Sequence, residues 1–192
     1  FERGLFKVDD SLLELGGNVY IDDGDWVVMS DSLHWDEKNE KLFFHGLSRV
    51  LEQSGELELS CFFGAFDSAQ ESGWFASEEV GSGTKARVRQ DDVWLEADRL
   101  EVPADSLEPL SAMGRVEIQD TSRVWKVWGS NALRRQGAGG ENLVSVRGGS
   151  SGRARYMDAS SSDTLWLISD SMEIQSTWTR LWPGVHLIQG QA

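Results

Sequence analysis

Trp26-Val27-Val28-Met29-Ser30-Asp31-Ser32-Leu33-His34-Trp35 decides the fold. Large apolar residues occupy positions 26 and 28 and then 33 and 35, with a small residue at 30. On a strand, side chains alternate between faces, so Trp26, Val28 and Ser30 share one face. Leu33 and Trp35 have the opposite parity, so they can join that face only if the chain shifts phase just after Ser30. A bulge or corner does this, because one extra residue reverses the facing of all that follows and bends the strand.

The same pattern recurs along the chain. With Ser30 as position zero, further copies are centred on Cys61, Ala97, Ser130 and Ser169, at spacings of 31, 36, 33 and 39 residues. Two residues earlier stand Val28, Leu59, Leu95, Trp128 and Leu167; four earlier stand Trp26, Leu57, Val93, Lys126 and Leu165. Three residues later come Leu33, Gly64, Leu100, Leu133 and Met172; five later come Trp35, Phe66, Val102, Arg135 and Ile174. Lys126, Gly64 and Arg135 are the misfits. Asp31, Asp98, Asn131 and Asp170 follow position zero and are expected to take unusual dihedrals while bonding to their own backbone. Each unit has room for about two bent strands, which predicts roughly ten strands stacked along one axis.

Period-two alternation elsewhere agrees. Asn18–Asp22, Glu56–Ser60, Arg87–Arg89, Asp92–Ala97, Arg115–Gln119 and Leu143–Arg147 read as half-buried strands. Asp22-Asp23-Gly24-Asp25, Gln53-Ser54-Gly55, Gly81-Ser82-Gly83, Gly137–Gly140 and Gly148–Gly152 read as turns. Gly17-Asn18-Val19-Tyr20-Ile21 and Gly114-Arg115-Val116-Glu117-Ile118 share a Gly-x-Val-x-Ile opening, read as a unit boundary. No stretch of ten or more residues keeps a helical period, and Ala104 to Met113 reads as a loop. The fold class is all-β: an elongated, solenoid-like stack of bent strands in about five repeats of 31–39 residues. Residues 1–192 read as one domain, with repeats over about 16–174 and a C-terminal strand or cap over 175–192.

Composition narrows function. The chain has 192 residues and a net charge of −14, which disfavours a nucleic-acid partner. One cysteine, Cys61, excludes an intramolecular disulfide and a cysteine-based zinc site, and His34, His45 and His186 are too few for a multi-histidine metal site. No cofactor or metal is expected. The acidic turns at Asp22–Asp25 and Asp91-Asp92 lack the calcium-loop spacing and read as solvated. No nucleophile elbow or phosphate loop appears, so no catalytic residue is assigned. Glu56 and Glu58 share an outer strand face rather than forming an acid–base pair. Arg87, Arg89, Arg153 and Arg155 could meet lipid phosphates, but read first as an outer face balancing local acid. The sequence opens on Phe1 and is expected to be a trimmed or processed product.

Gly17-Asn18-Val19-Tyr20-Ile21, Ser30–Asp36 and Lys41-Leu42-Phe43-Phe44-His45-Gly46 together resemble the repeat of the OstA-like lipopolysaccharide-transport family. The later copies at Ala97–Leu100 and Ser169–Met172 extend the likeness, while Cys61-Phe62-Phe63-Gly64 lacks the acidic residue. The resemblance implies a periplasmic, non-enzymatic role in outer-membrane biogenesis. The fold that the resemblance implies is an elongated, open β-jellyroll, in which stacked V-shaped antiparallel strand pairs enclose an apolar groove for the acyl chains of lipopolysaccharide or another lipid. It also implies docking to other β-jellyroll components, or to itself, through end strands. The groove would then be lined by Trp26, Val28, Leu33, Trp35, Leu57, Leu59, Phe66, Val93, Leu95, Leu100, Trp128, Leu133, Leu165, Leu167 and Met172. Ordinary core is the plainer reading of each residue taken singly. The rival for the whole is a structural or extracellular β-solenoid that assembles through its end strands and holds no ligand.

Overall fold

The computed structural model describes residues 3–7, 11–22, 24–55, 57–67, 69–70, 72–78, 84–90, 92–104, 108–122, 124–136, 142–149, 152–158, 163–175 and 178–191. Among these there is no helix. The strands are β1 (Arg3–Lys7), β2 (Leu12–Asp22), β3 (Trp26–Asp36), β4 (Lys41–Glu52), β5 (Leu57–Asp67), β6 (Ser72–Ala76), β7 (Ala86–Gln90), β8 (Val93–Ala97) and β9 (Arg99–Val102). They continue as β10 (Leu110–Asp120), β11 (Trp125–Gln136), β12 (Asn142–Arg147), β13 (Ala154–Asp158), β14 (Asp163–Ser169), β15 (Ser171–Gln175), β16 (Trp178–Trp182) and β17 (His186–Gln191). All pairings are antiparallel and join the 17 strands into one continuous sheet.

The sheet folds over itself as two layers. Following the pairings, one layer runs β1, the 12–16 arm of β2, the 32–36 arm of β3, the 41–45 arm of β4, the 63–67 arm of β5, β6, β9, then the first arm of β10, the second arm of β11, β12, β15 and β16. The other layer takes the remaining arms of β2, β3, β4 and β5, then β7, β8, the remaining arms of β10 and β11, β13, β14 and β17. Every chain that passes between layers bends at the same level, and the hairpin connections lie at the far tips. The fold is an elongated, β-jellyroll-like stack. Five of the bent strands are interrupted at the corner and count as two each, so the 17 strands correspond to twelve passes of the chain where roughly ten were expected.

The corner is built by two kinds of strand. Strands passing one way keep a single residue at the bend: Asp31, Phe62, Asp98, Ser130 and Asp170. Opposite Asp31, Phe62, Asp98 and Ser130 the neighbouring strands place two residues, Gly17-Asn18, Gly46-Leu47 or Gly114-Arg115, giving register shifts between Gly16/Val19, His45/Ser48 and Met113/Val116. The phase shift after position zero is therefore present, but the extra residue lies on the neighbouring strand. The unusual dihedrals lie there too, with Gly17, Asn18, Gly46, Gly114 and Arg115 at φ of 72°, 52°, 79°, 70° and 33°, while Asp31, Asp98, Asn131 and Asp170 have none. Glycine tolerates this region at no steric cost. The shared Gly-x-Val-x-Ile motif thus marks mid-strand corners rather than unit boundaries. After each glycine the valine, Val19 or Val116, turns into the core.

Position zero is small because the corner leaves no room, and its hydroxyl has work there. Ser30 and Ser169 donate to the carbonyls of Ser32 and Ser171 at 2.7 and 2.6 Å, and Ser30 also shares a 2.7 Å contact with Ser48. The hydroxyls satisfy carbonyls that the bend removes from the ladder.

Two sequence readings change. Leu110 to Met113 is not loop but the start of β10, held between β9 and β11. The 175–192 end extends both layers, β16 pairing with β15 and β17 with β14. Glu56, Asp23, Asp91, Gly81–Gly83, Gly137–Gly140, Ser150 and Ser151, which figure in the strand, acidic-pair and turn readings, lie outside the described residues.

Candidate functional site: the inner faces of the two layers

The inner faces form one apolar cluster that runs from Val19 and Leu33 through Phe44, Leu59, Phe75, Leu95, Leu100, Ile118, Val127 and Val146 to Met172 and Ile174. Burial follows distance from the corner. At the bend Leu33, Cys61, Ala97, Leu100, Ser169 and Met172 are inaccessible to solvent or nearly so. Towards the tips Val28, Leu42, Val50, Leu57, Phe66, Val93, Val102, Leu110, Trp125 and Leu167 are apolar, inward and only half-buried. Trp26, at the tip of β3, is 36% exposed. The inward apolar side chains are most fully covered at the corner, and several towards the tips are only partly covered.

Most of the expected set lies on these faces. Val28, Leu33, Leu57, Leu59, Phe66, Val93, Leu95, Leu100, Leu167 and Met172 belong to the cluster or pack against it. Trp35 and Leu165 are half-buried on the same parity, Trp35 opposite Leu42 and Leu165 opposite Asp158. Gly64 also faces inward: a Cβ there would stand 2.8 Å from the Phe75 ring, so Phe75 and Phe44 fill the space that a side chain occupies in other units. The pair of rings lies 6.1 Å apart.

The fourth unit is displaced by one residue. Val127 and Ala132 are buried, whereas Leu133 is 40% exposed and Trp128 stacks on Trp166 at 5.8 Å on the outer face. Gly129, not Ser130, pairs with Val116 and stands where the other units carry their small inward residue. Its missing side chain is needed, because a Cβ would stand 2.4 Å from Val146 Cγ1. With Gly129 at zero, Trp125 and Val127 take the inward places and Lys126 and Arg135 turn outward, which removes the misfit at −4 and leaves an arginine, now Arg134, at +5. Trp128 and Leu133 are therefore corrected to the outer faces. The displacement also turns Arg134 inward, where it is buried in a row with Leu110, Val144 and Ile174. Sequence parity missed this cation, since Arg135 beside it is equally basic.

The corner holds the layers by side chains that reach across strands. The Asp31 carboxylate accepts a hydrogen bond from the Leu47 N–H at 2.8 Å. Asp98, buried, accepts from Arg115 Nε and Nη2 at 2.8 and 2.5 Å. Asp170 pairs with Arg153 at 3.2 Å. The acidic residue after position zero thus bonds to the neighbouring strand, not to its own backbone. Burial pushes the Cys61 thiol up to about 12. Burial first, and then the Asp158 charge, raise the Tyr156 phenol to about 12.

The outer faces carry ion pairs and cation–π contacts. Lys85 lies 4.0 and 3.7 Å from Glu96 and Glu117, and Lys126 lies 3.6 Å from Glu117. Arg87 pairs with Glu96 and sits 4.7 Å above the Trp94 ring, with Arg89 at 5.4 Å. Each such contact contributes little alone, on the order of 1 kcal/mol or less. No cluster of three metal-ligating side chains occurs among the described residues. No protein-family model matches this chain, and a search of curated proteins finds no match.

Proposed function

We propose that this chain is a non-enzymatic lipid-binding protein of the cell envelope, working in the periplasm as part of a lipid-transport bridge. Acyl chains of lipopolysaccharide or a related lipid lie between the tips of the two layers, against Trp26, Leu57, Phe66, Val93 and Leu165. The observation that carries the reading is the gradient of burial on one continuous apolar surface. An inner face selected for packing alone would be covered from corner to tip, yet Trp26, Leu57, Phe66 and Val93 towards the tips stay only partly buried, whereas Val144 and Ile174 in the later units are covered. Burying such a side chain against an acyl chain is worth roughly 1.5–3 kcal/mol at full coverage. The chain's ends fit docking to further jellyroll components or to itself. β1 and the 19–22 arm of β2 at one end, and β16 and β17 at the other, pair on one side only among the described strands. Apolar side chains stand exposed there, Tyr20 at one end and Val185, Leu187 and Ile188 at the other.

The continuity of the buried cluster favours a second reading, a structural solenoid with no ligand. A photo-crosslinking amino acid placed at Trp26 or Leu57 separates the two. The lipid reading expects a crosslink to lipopolysaccharide in intact envelopes from both positions and none from the outward position Glu96. Absence of any lipid adduct at Trp26 and Leu57, with the protein folded by circular dichroism, refutes it and leaves the solenoid.

A further inference from the structure

On the outer face of the first layer, strands β10, β11, β12, β15 and β16 form a shallow trough of about 550 Å³. This lies within the range of ligand pockets, roughly 300–1,000 Å³. It faces away from the core, so it is independent of the lipid reading. Its origin is a run of short side chains. Ser145 and Ser171 project outward between the taller Leu133 and Trp182 and form the floor, while Ser111, on the far side of Leu133, lines the trough with its hydroxyl donated to Glu101 at 3.4 Å. Register places Asn131, Arg147, Ser171 and Trp182 side by side on four successive strands. The next row runs Leu133, Ser145, Glu173 and Arg180.

We propose that this trough binds an anionic saccharide. The floor offers hydroxyls and an amide, groups that both donate and accept and so match sugar hydroxyls. Trp182, 38% exposed with the Arg180 guanidinium 5.8 Å from its ring centre, offers ring surface to the C–H face of a pyranose, and Met113 and Leu133 add apolar surface. The rows advance by about 4.8 Å per strand, close to the length of one sugar ring, so an extended oligosaccharide lying across the strands meets one polar group per residue. Arg147 supplies the charge preference. It is exposed, and none of the described residues forms an ion pair or hydrogen bond with its side chain, whereas Glu173 is engaged by Arg180 at 3.9 Å. A free guanidinium beside hydroxyls pairs bidentately with a carboxylate or a phosphate. An acyl chain does not fit a floor of hydroxyls, since it would leave them desolvated and unpaired.

The test follows the indole N–H resonance of Trp182, assigned by Trp182→Phe, in the full chain. Trigalacturonate supplies carboxylates, glucose 6-phosphate a phosphate, and maltotriose no charge. A saturable shift with trigalacturonate or glucose 6-phosphate, at least tenfold weaker with maltotriose, is expected; which of the two acts identifies the anion. Arg147→Gln should abolish the charge preference, and Ser145→Leu, which fills the floor, should abolish binding with an unchanged thermal midpoint. No saturable response to any probe, equal affinity for maltotriose, or undiminished binding by Arg147→Gln would overturn the proposal.

Discussion

Replacing Gly114 by alanine tests the corner where it is tightest. Gly114 holds φ +70°, and a Cβ built there stands 2.4 Å from Asp98 Oδ2 and 2.9 Å from Asp98 Cβ. Two costs follow. A non-glycine residue in the left-handed region costs roughly 1–2 kcal/mol. The methyl group must also push Asp98 away from Arg115, with which it makes contacts of 2.8 and 2.5 Å while only 6% exposed. Removing one partner of a buried pair costs about 3–5 kcal/mol, and displacement by a few tenths of an ångström costs a part of that, on the order of 2 kcal/mol. Gly114→Ala should therefore lower stability by about 3–4 kcal/mol. In an Asp98→Ala background the steric part disappears and the same substitution should cost only about 1–2 kcal/mol. Urea unfolding followed by tryptophan fluorescence measures both, with an unchanged m-value showing that the same transition is compared. If Gly114→Ala costs the same within about 0.5 kcal/mol in the two backgrounds, the cross-strand contact is not what fixes the bend.

Two further perturbations address register and titration. Val127→Asp buries an unpaired charge at a fully covered position and should abolish folding, whereas Lys126→Gln should cost no more than about 1 kcal/mol; comparable losses in urea titration would reject the corrected facing of the fourth unit. The Tyr156 phenol ionises at about 12 in the folded chain against an ordinary value near 10. Below pH 10 both states hold the proton and no slope arises. Between about pH 10 and 12 the unfolded chain releases it first, so the wild type loses up to about 2–3 kcal/mol relative to Tyr156→Phe. A stability difference between the two proteins that stays flat over this interval would contradict the buried, neutral phenol.

The sequence by itself determined the strands, the corner and most inward residues, because these depend on neighbours along the chain. Alternation placed Leu59, Leu95 and Leu100 on one face, and the parity reversal after Ser30, Cys61, Ala97 and Ser169 located the bend to within a residue. The tertiary structure decided what depends on residues far apart. Trp125-Lys126-Val127-Trp128 carries a large apolar side chain on each face, since Trp128 finds Trp166 across the outer surface, so local parity could not choose between Val127 and Trp128. Only the pairing of Gly129 with Val116 fixes that register. The positive dihedrals fell on Gly46 and Gly114 rather than on the acids opposite them, because a bulge is shared by two strands and the strand with glycine takes the unusual conformation at lower cost. The trough lined by Ser111, Ser145 and Ser171 was illegible for the same reason: these residues are 34 and 26 positions apart along the chain and reach one face only through the ladder.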